Sequence, residues 1–158
     1  MKEEINMKDK IVKLSNGVKV INTSPHPFTF EDGTVVPPCG RTLNAEFKEG
    51  VFGSDAMSIT QLGVKLLSST LEPRAEDVSF VAKLIQEEYA ASTVVEANLL
   101  FLGSKIAAEA FGYPVVMAKP TAETAGRGTP PADKVMVIDQ FTAWSSSINY
   151  YDLAWADW

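Results

Sequence analysis

Apolar and polar residues alternate through Ile11-Val-Lys-Leu-Ser-Asn-Gly-Val-Lys-Val-Ile-Asn22. A period of two around Asn16-Gly17 predicts a hairpin with a tight type I′ turn, since both central residues tolerate positive φ. A second hairpin is predicted where Phe28-Thr-Phe30 and Thr34-Val-Val36 flank Glu31-Asp32-Gly33. Pro25 and Pro27 make the stretch around His26 a bend or an edge, and Pro37-Pro38-Cys39-Gly40 redirects the chain. The pattern lapses over residues 41–71, where Gly50, Gly53 and Gly63 interrupt modest apolar runs and Ser58-Ile-Thr-Gln-Leu62 suits strand or helix equally.

The period changes after Pro73. Val78, Val81, Ala82, Ile85 and Tyr89 recur at three- and four-residue spacing and form one apolar stripe, which predicts a helix over about 73–91. Pro73 suits a first turn, Glu76 and Asp77 suit the positive end of the helix dipole, and Lys83 with Glu87 offers an exposed ion pair. Thr93–Leu102 reads as a strand, and Ser104 as the N-cap of a short helix over about 104–111 that Gly112 closes. Tyr113–Met117, Lys134–Ile138 and Phe141–Trp144 read as further strands. The expected fold is α+β: an antiparallel sheet with N-terminal hairpins, one long helix and one short one. It forms a single domain over 1–144, followed by an aromatic tail, 145–158, expected to dock on its own or a neighbouring subunit.

Composition narrows the function. The chain has 158 residues, 46% hydrophobic and 22% charged, which suits one globular domain and not a disordered chain. No apolar run is long enough to span a membrane, and the charged opening does not resemble a secretory signal. One cysteine, Cys39, and one histidine, His26, leave little for a disulfide, a zinc cluster or a histidine-based triad. His26 between prolines reads as a structural residue fixing the bend, and Cys39 lacks a signalled orienting partner. The net charge is −6, and no segment is basic enough for a nucleic-acid polymer surface. The expectation is an acidic, cytoplasmic protein.

The exceptions to that acidity cluster. Residues 120–133 form a loop of fourteen residues, long enough to be a functional loop. Within it Arg127 lies between Gly126 and Gly128, so its forked donors can approach an anion closely. Lys119 precedes the loop, Lys134 follows it, and Thr129 lies inside. Ser104 and Lys105 open the short helix, where a hydroxyl and an ammonium suit an anion. Phe111 and Tyr113 could stack a base. These eight residues are the candidate ligand-binding set, with no cofactor, no metal site and no catalytic constellation.

Val20-Ile-Asn-Thr-Ser-Pro-His-Pro-Phe28 and Glu31-Asp-Gly-Thr-Val-Val-Pro-Pro-Cys-Gly40 resemble the opening of a family of short bacteriophage proteins. Gly103–Phe111, Arg127–Lys134 and Phe141–Trp144 resemble that family's closing half. The nearest functional relatives that the resemblance implies are the phage anti-defence sponges of the type-one Thoeris anti-defence kind. Those are oligomers that bind cyclic ADP-ribose isomers or cyclic oligonucleotides without degrading them. Val135 stands where a second basic residue after Lys134 is expected. The resemblance implies a homo-oligomeric sponge for a small phosphorylated nucleotide in a bacterial host cytoplasm. Two other readings remain: a phage structural protein docking through its aromatic tail, and a metal-dependent nucleotide hydrolase using Asp133 and Asp139.

Overall fold

The computed structural model describes residues 7–51, 61–91, 99–130 and 133–150. After a 3-10 turn at Met7–Lys10, the first hairpin pairs β1 (Val12–Lys13) with β2 (Lys19–Asn22), and the second pairs β3 (Phe28–Phe30) with β4 (Val35–Val36). The first turn differs from the expected type I′ form, and the second takes the same shape as the first. Leu14 N–H donates to Val18 O and Phe30 N–H to Thr34 O, so each loop spans three residues. Only the glycine is left-handed, with φ +93° at Gly17 and +89° at Gly33. This is a type I turn followed by a left-handed glycine, the form that three-residue hairpin loops take.

The region without a clear pattern is a second, two-stranded sheet. β5 (Ala45–Val51) pairs antiparallel with β6 (Leu67–Pro73) as a long arm, and residues 52–60 lie outside the described set. α1 (Ala75–Ala91) follows, beginning two residues after Pro73, which ends β6. The expected stripe is buried at Val81, Ala82 and Ile85, with Leu84 added; Tyr89's side chain lies outside the described set. Lys83 and Glu87 line a cleft rather than pairing. β7 (Leu99–Leu102), α2 (Lys105–Phe111), β8 (Val115–Pro120) and β9 (Val135–Thr142) complete the order, so the two predicted final strands are one bulged strand. Of the predicted strand at 93–102, residues 93–98 lie outside the described set.

The main sheet corrects the antiparallel expectation. Its seven strands run β1-β2-β7-β8-β9-β3-β4, and the pairs β2/β7, β7/β8 and β3/β9 are parallel. For β7/β8 the cause is α2, which carries the chain from the end of β7 back to the start of β8 and so makes a strand–helix–strand crossover, whereas β2/β7 and β3/β9 are joined through several intervening elements. The sheet curls into a nearly closed barrel whose free flanks meet at Asn22 and Val36. Asn22 Nδ2 donates to Val36 O at 3.0 Å, and Cys39 N–H donates to Asn22 O at 2.9 Å.

Strand alternation sorts the apolar side chains into two layers. Val20, Phe30, Val36, Leu102, Val116 and Met136 fill the barrel. Their neighbours Ile21, Phe101 and Val115 point outward and pack beneath α1 and α2 through Leu84, Ile85, Ala107, Ala108 and Phe111. No helix of the described residues is long and apolar enough to cross a membrane.

Candidate functional site

Parallel pairing gathers several segments at one end of the barrel. β2, β7 and β8 run in the same direction, so Asn22-Thr-Ser24, Gly103-Ser104 and Lys119 all sit at their carboxyl ends. β3 and β9 run parallel to each other with Thr29 opposite Val135, so the bend before β3 and the loop before β9 share one end of that pair. The carboxyl ends of parallel strands are where open α/β sheets bind ligands.

The loop between β8 and β9 has an ordered base. Thr121 N–H donates to Val135 O at 2.8 Å. Thr124 Oγ1 bonds to Thr121 Oγ1 at 2.8 Å and accepts from Val135 N–H at 3.1 Å. Beyond this clasp, Thr129 N–H donates to Gly126 O at 3.1 Å and closes a turn with Arg127 and Gly128 at its tip. Arg127 is exposed and makes no ion pair among the described residues, whereas Thr129 and Lys134 are half-buried at the flanks. Lys119 is exposed and its Nζ donates to Gln140 Oε1 at 2.9 Å.

Across from the loop, Ser104 caps α2 as expected: its Oγ accepts from Ala107 N–H at 3.1 Å. A hydroxyl that accepts still has its own proton to donate. Lys105 beside it is exposed. Arg127, Thr129, Lys134, Lys119, Ser104 and Lys105 therefore belong to one end of the sheet.

Phe111 and Tyr113 do not join them. Both lie at the start of β8, and its six residues span about 20 Å. Phe111 is fully buried in the helix-side core, and a ring without exposed surface does not stack on a ligand, so it leaves the candidate set. Its carbonyl instead accepts from Ser146 Oγ at 2.7 Å and Tyr150 Oη at 2.8 Å. Tyr113 is 49% exposed, but its N–H is tied to Trp144 O at the far end from the loop. The same contacts place the first part of the tail on its own domain, with Tyr150 buried; residues 151–158 lie outside the described set. Burial holds the Tyr150 phenol well above its ordinary pKa.

The bend before β3 is a closed polar network. Asn22, Thr23 and Ser24 are all buried. Asn22 Nδ2 also donates to His26 O at 2.7 Å, while its Oδ1 accepts from Ser24 N–H at 2.9 Å and Ser24 Oγ at 2.7 Å. Thr23 Oγ1 donates to Leu102 O at 2.7 Å. It is the carbonyl of His26 that fixes the bend, and the ring is not needed for it. Sequence reasoning missed this network because two of its partners, Val36 and Leu102, are distant in the chain.

Two further features were also missed. Arg41 pairs with buried Asp77 at 3.0 Å and lies 4.7 Å above the Phe80 ring, pinning the 40–44 segment to the start of α1. A shallow cleft of about 130 Å³ is lined by Met7, Phe80, Lys83, Leu84 and Glu87, none of them in the predicted set. It is smaller than the roughly 300 Å³ at which ligand pockets begin. Cys39 is buried, with Sγ donating to Arg41 O at 3.3 Å, and burial pushes its thiol pKa up, away from nucleophilic character. Asp133 precedes β9 and Asp139 lies in its bulged middle. Among the described residues no three His, Cys, Asp or Glu side chains converge as a metal site.

No protein-family model, no curated protein and no solved structure matches this chain.

Proposed function

We propose that this chain is a binding protein that sequesters a small phosphorylated nucleotide at the carboxyl end of β7 and β8 and returns it unaltered. The ligand class is a cyclic ADP-ribose isomer or a cyclic oligonucleotide, and the setting is a bacterial host cytoplasm. The reading rests on one observation: in an acidic chain, cations from two separate segments, Lys105 and the Lys119–Lys134 loop, share one end of the barrel. Arg127 at the loop tip supplies a forked donor for phosphate, Lys134 and Lys119 supply charge at the base, and the Ser104 hydroxyl supplies a donor. A binder needs ground-state affinity and no transition-state machinery.

A thermal-shift panel of cyclic ADP-ribose isomers and cyclic di- and trinucleotides tests this. A ligand at a hundred times its Kd contributes about 2.7 kcal/mol, or roughly 5–10 °C for a domain of this size. The expected result is such a shift with the ligand recovered intact after denaturation. No shift from any member, or recovery of a cleaved product, overturns the proposal.

A second reading, an interaction protein, draws support from the β5–β6 arm, whose apolar side chains face solvent.

A further inference from the structure

The β5–β6 arm is amphipathic in a way that calls for a partner. Directly opposed residues of an antiparallel pair share a face. The pairs Ala45/Pro73, Phe47/Leu71 and Val51/Leu67 therefore place six apolar side chains on one face, with Glu49/Ser69 between them. The other face carries Glu46/Glu72, Lys48/Thr70 and Gly50/Ser68, with a Lys48–Glu72 ion pair at 3.9 Å. The arm packs on α2 near its base, where Ala45, Leu71 and Pro73 are half-buried. Farther out the apolar face is uncovered: Phe47 is 72% exposed, Val51 70% and Leu67 53%, and Leu62 and Val64 continue the exposure beyond the strand. Phe47 and Val51 belong to the outer strand of the ribbon, so a strand added at that edge would set its own side chains beside them on the same face.

A two-stranded ribbon is marginally stable alone, and it gains independent stability from three or more strands. Among the described residues β5 has no strand on its outer side, so the outward-facing N–H and C=O groups of alternate residues along its seven-residue edge stand ready to pair. We propose that this edge pairs with β5 of a second copy, antiparallel about a two-fold axis at Phe47, to make a four-stranded sheet. In that register Phe47 faces its own counterpart on the apolar side. On the polar side Lys48 of each copy stands directly opposite Glu46 of the other, giving two opposite-charge pairs. Shifting the axis by two residues to Glu49 would set Glu49 against Glu49 and lose both cross-pairs. Charge complementarity thus selects a copy of this chain as the partner and also fixes the register.

The test uses the full chain without added nucleotide, so its outcome is independent of ligand binding. Analytical ultracentrifugation should show a dimer, and Phe47→Lys should weaken it at least tenfold. Lys48→Glu alone and Glu46→Lys alone should each weaken it, while the double exchange Glu46→Lys with Lys48→Glu should restore it. Phe47→Cys should form a disulfide-linked dimer on mild oxidation, since the axis brings that position onto itself. Val51→Cys should not, because the register separates the two copies of that residue by about 27 Å. Cys39 is buried and does not contribute. These positions are exposed, so circular dichroism should show each variant folded. A monomer at every concentration, or Val51→Cys crosslinking as readily as Phe47→Cys, overturns the proposal.

Discussion

Replacing Asn22 by alanine removes the side-chain half of the joint at which the barrel closes and keeps only the backbone bond from Cys39 N–H to Asn22 O. The side chain is fully buried and makes four hydrogen bonds, of 2.7 and 3.0 Å from Nδ2 and 2.9 and 2.7 Å to Oδ1. A made hydrogen bond contributes about 1 kcal/mol net, but a buried partner left unmatched costs roughly 1–3 kcal/mol. The Ser24 hydroxyl already lies 3.0 Å from His26 O and can satisfy that carbonyl. Ser24 N–H has no such substitute, and the side-chain bonds to Val36 O and Ser24 Oγ are lost as well, so the total loss is about 3–5 kcal/mol. At 2–4 °C per kcal/mol for a domain of this size, the melting temperature should fall by about 10 °C. Urea denaturation measures the free energy, and an unchanged slope would show that the same fold is being unfolded. Asn22→Asp keeps the size and the acceptors but loses both donors, so it should be destabilised to a similar degree. A loss below about 1 kcal/mol for both variants would refute the view that this side chain holds β2 to β4.

The remaining expectations concern the opposite end of the barrel, the tail and the tip of the loop between β8 and β9. Asp32 accepts from the Ser15 and Thr34 backbone N–H groups, at 3.0 and 2.9 Å, and these hold its carboxyl far below the usual carboxylate range. A depressed pKa gives a contribution present above about pH 4 and lost as the pH falls further. The stability gap between wild type and Asp32→Asn, measured in urea, should therefore be open at pH 7 and narrow towards pH 2; a gap independent of pH would contradict this. Gly112→Ala should cost more than about 2 kcal/mol, because φ is +73° and a new Cβ would come within 2.7 Å of Ser146 Cα. A melting temperature within 2 °C of wild type would show that the tail does not pack there. Arg127→Ala should leave stability within about 0.5 kcal/mol, as for an exposed residue away from the core, which separates a binding role from a structural one.

The local elements were legible because their signals are local. The α1 stripe, the Ser104 cap, the Gly112 stop and both hairpins follow from residues within a few positions of one another. Strand partners were not, since alternation fixes which face a residue takes and says nothing about its neighbour. The Leu99-Leu-Phe-Leu102 run held an unused signal, because a strand apolar at every position is the pattern of a parallel strand covered on both faces. Phe111 held another: with Ala107 and Ala108 it lies on one side of the helix, the spacing of a core residue and not of a stacking platform. The arm was obscured by Glu49, which breaks the alternation of Ala45, Phe47 and Val51, and by a partner strand fifteen or more residues away. The cations at the barrel end were visible one by one. Their common location depended on β7 and β8 being parallel, which only the fold discloses.

Isothermal titration of a shift-producing cyclic nucleotide into wild type and into the Arg127→Ala, Lys134→Ala double variant tests the central claim most directly. Hydrogen bonds to charged groups contribute roughly 1.5–3 kcal/mol each, so affinity should fall more than tenfold while the melting temperature of the free protein stays unchanged. Equal affinity in the two proteins would contradict the assignment of the site to the loop between β8 and β9.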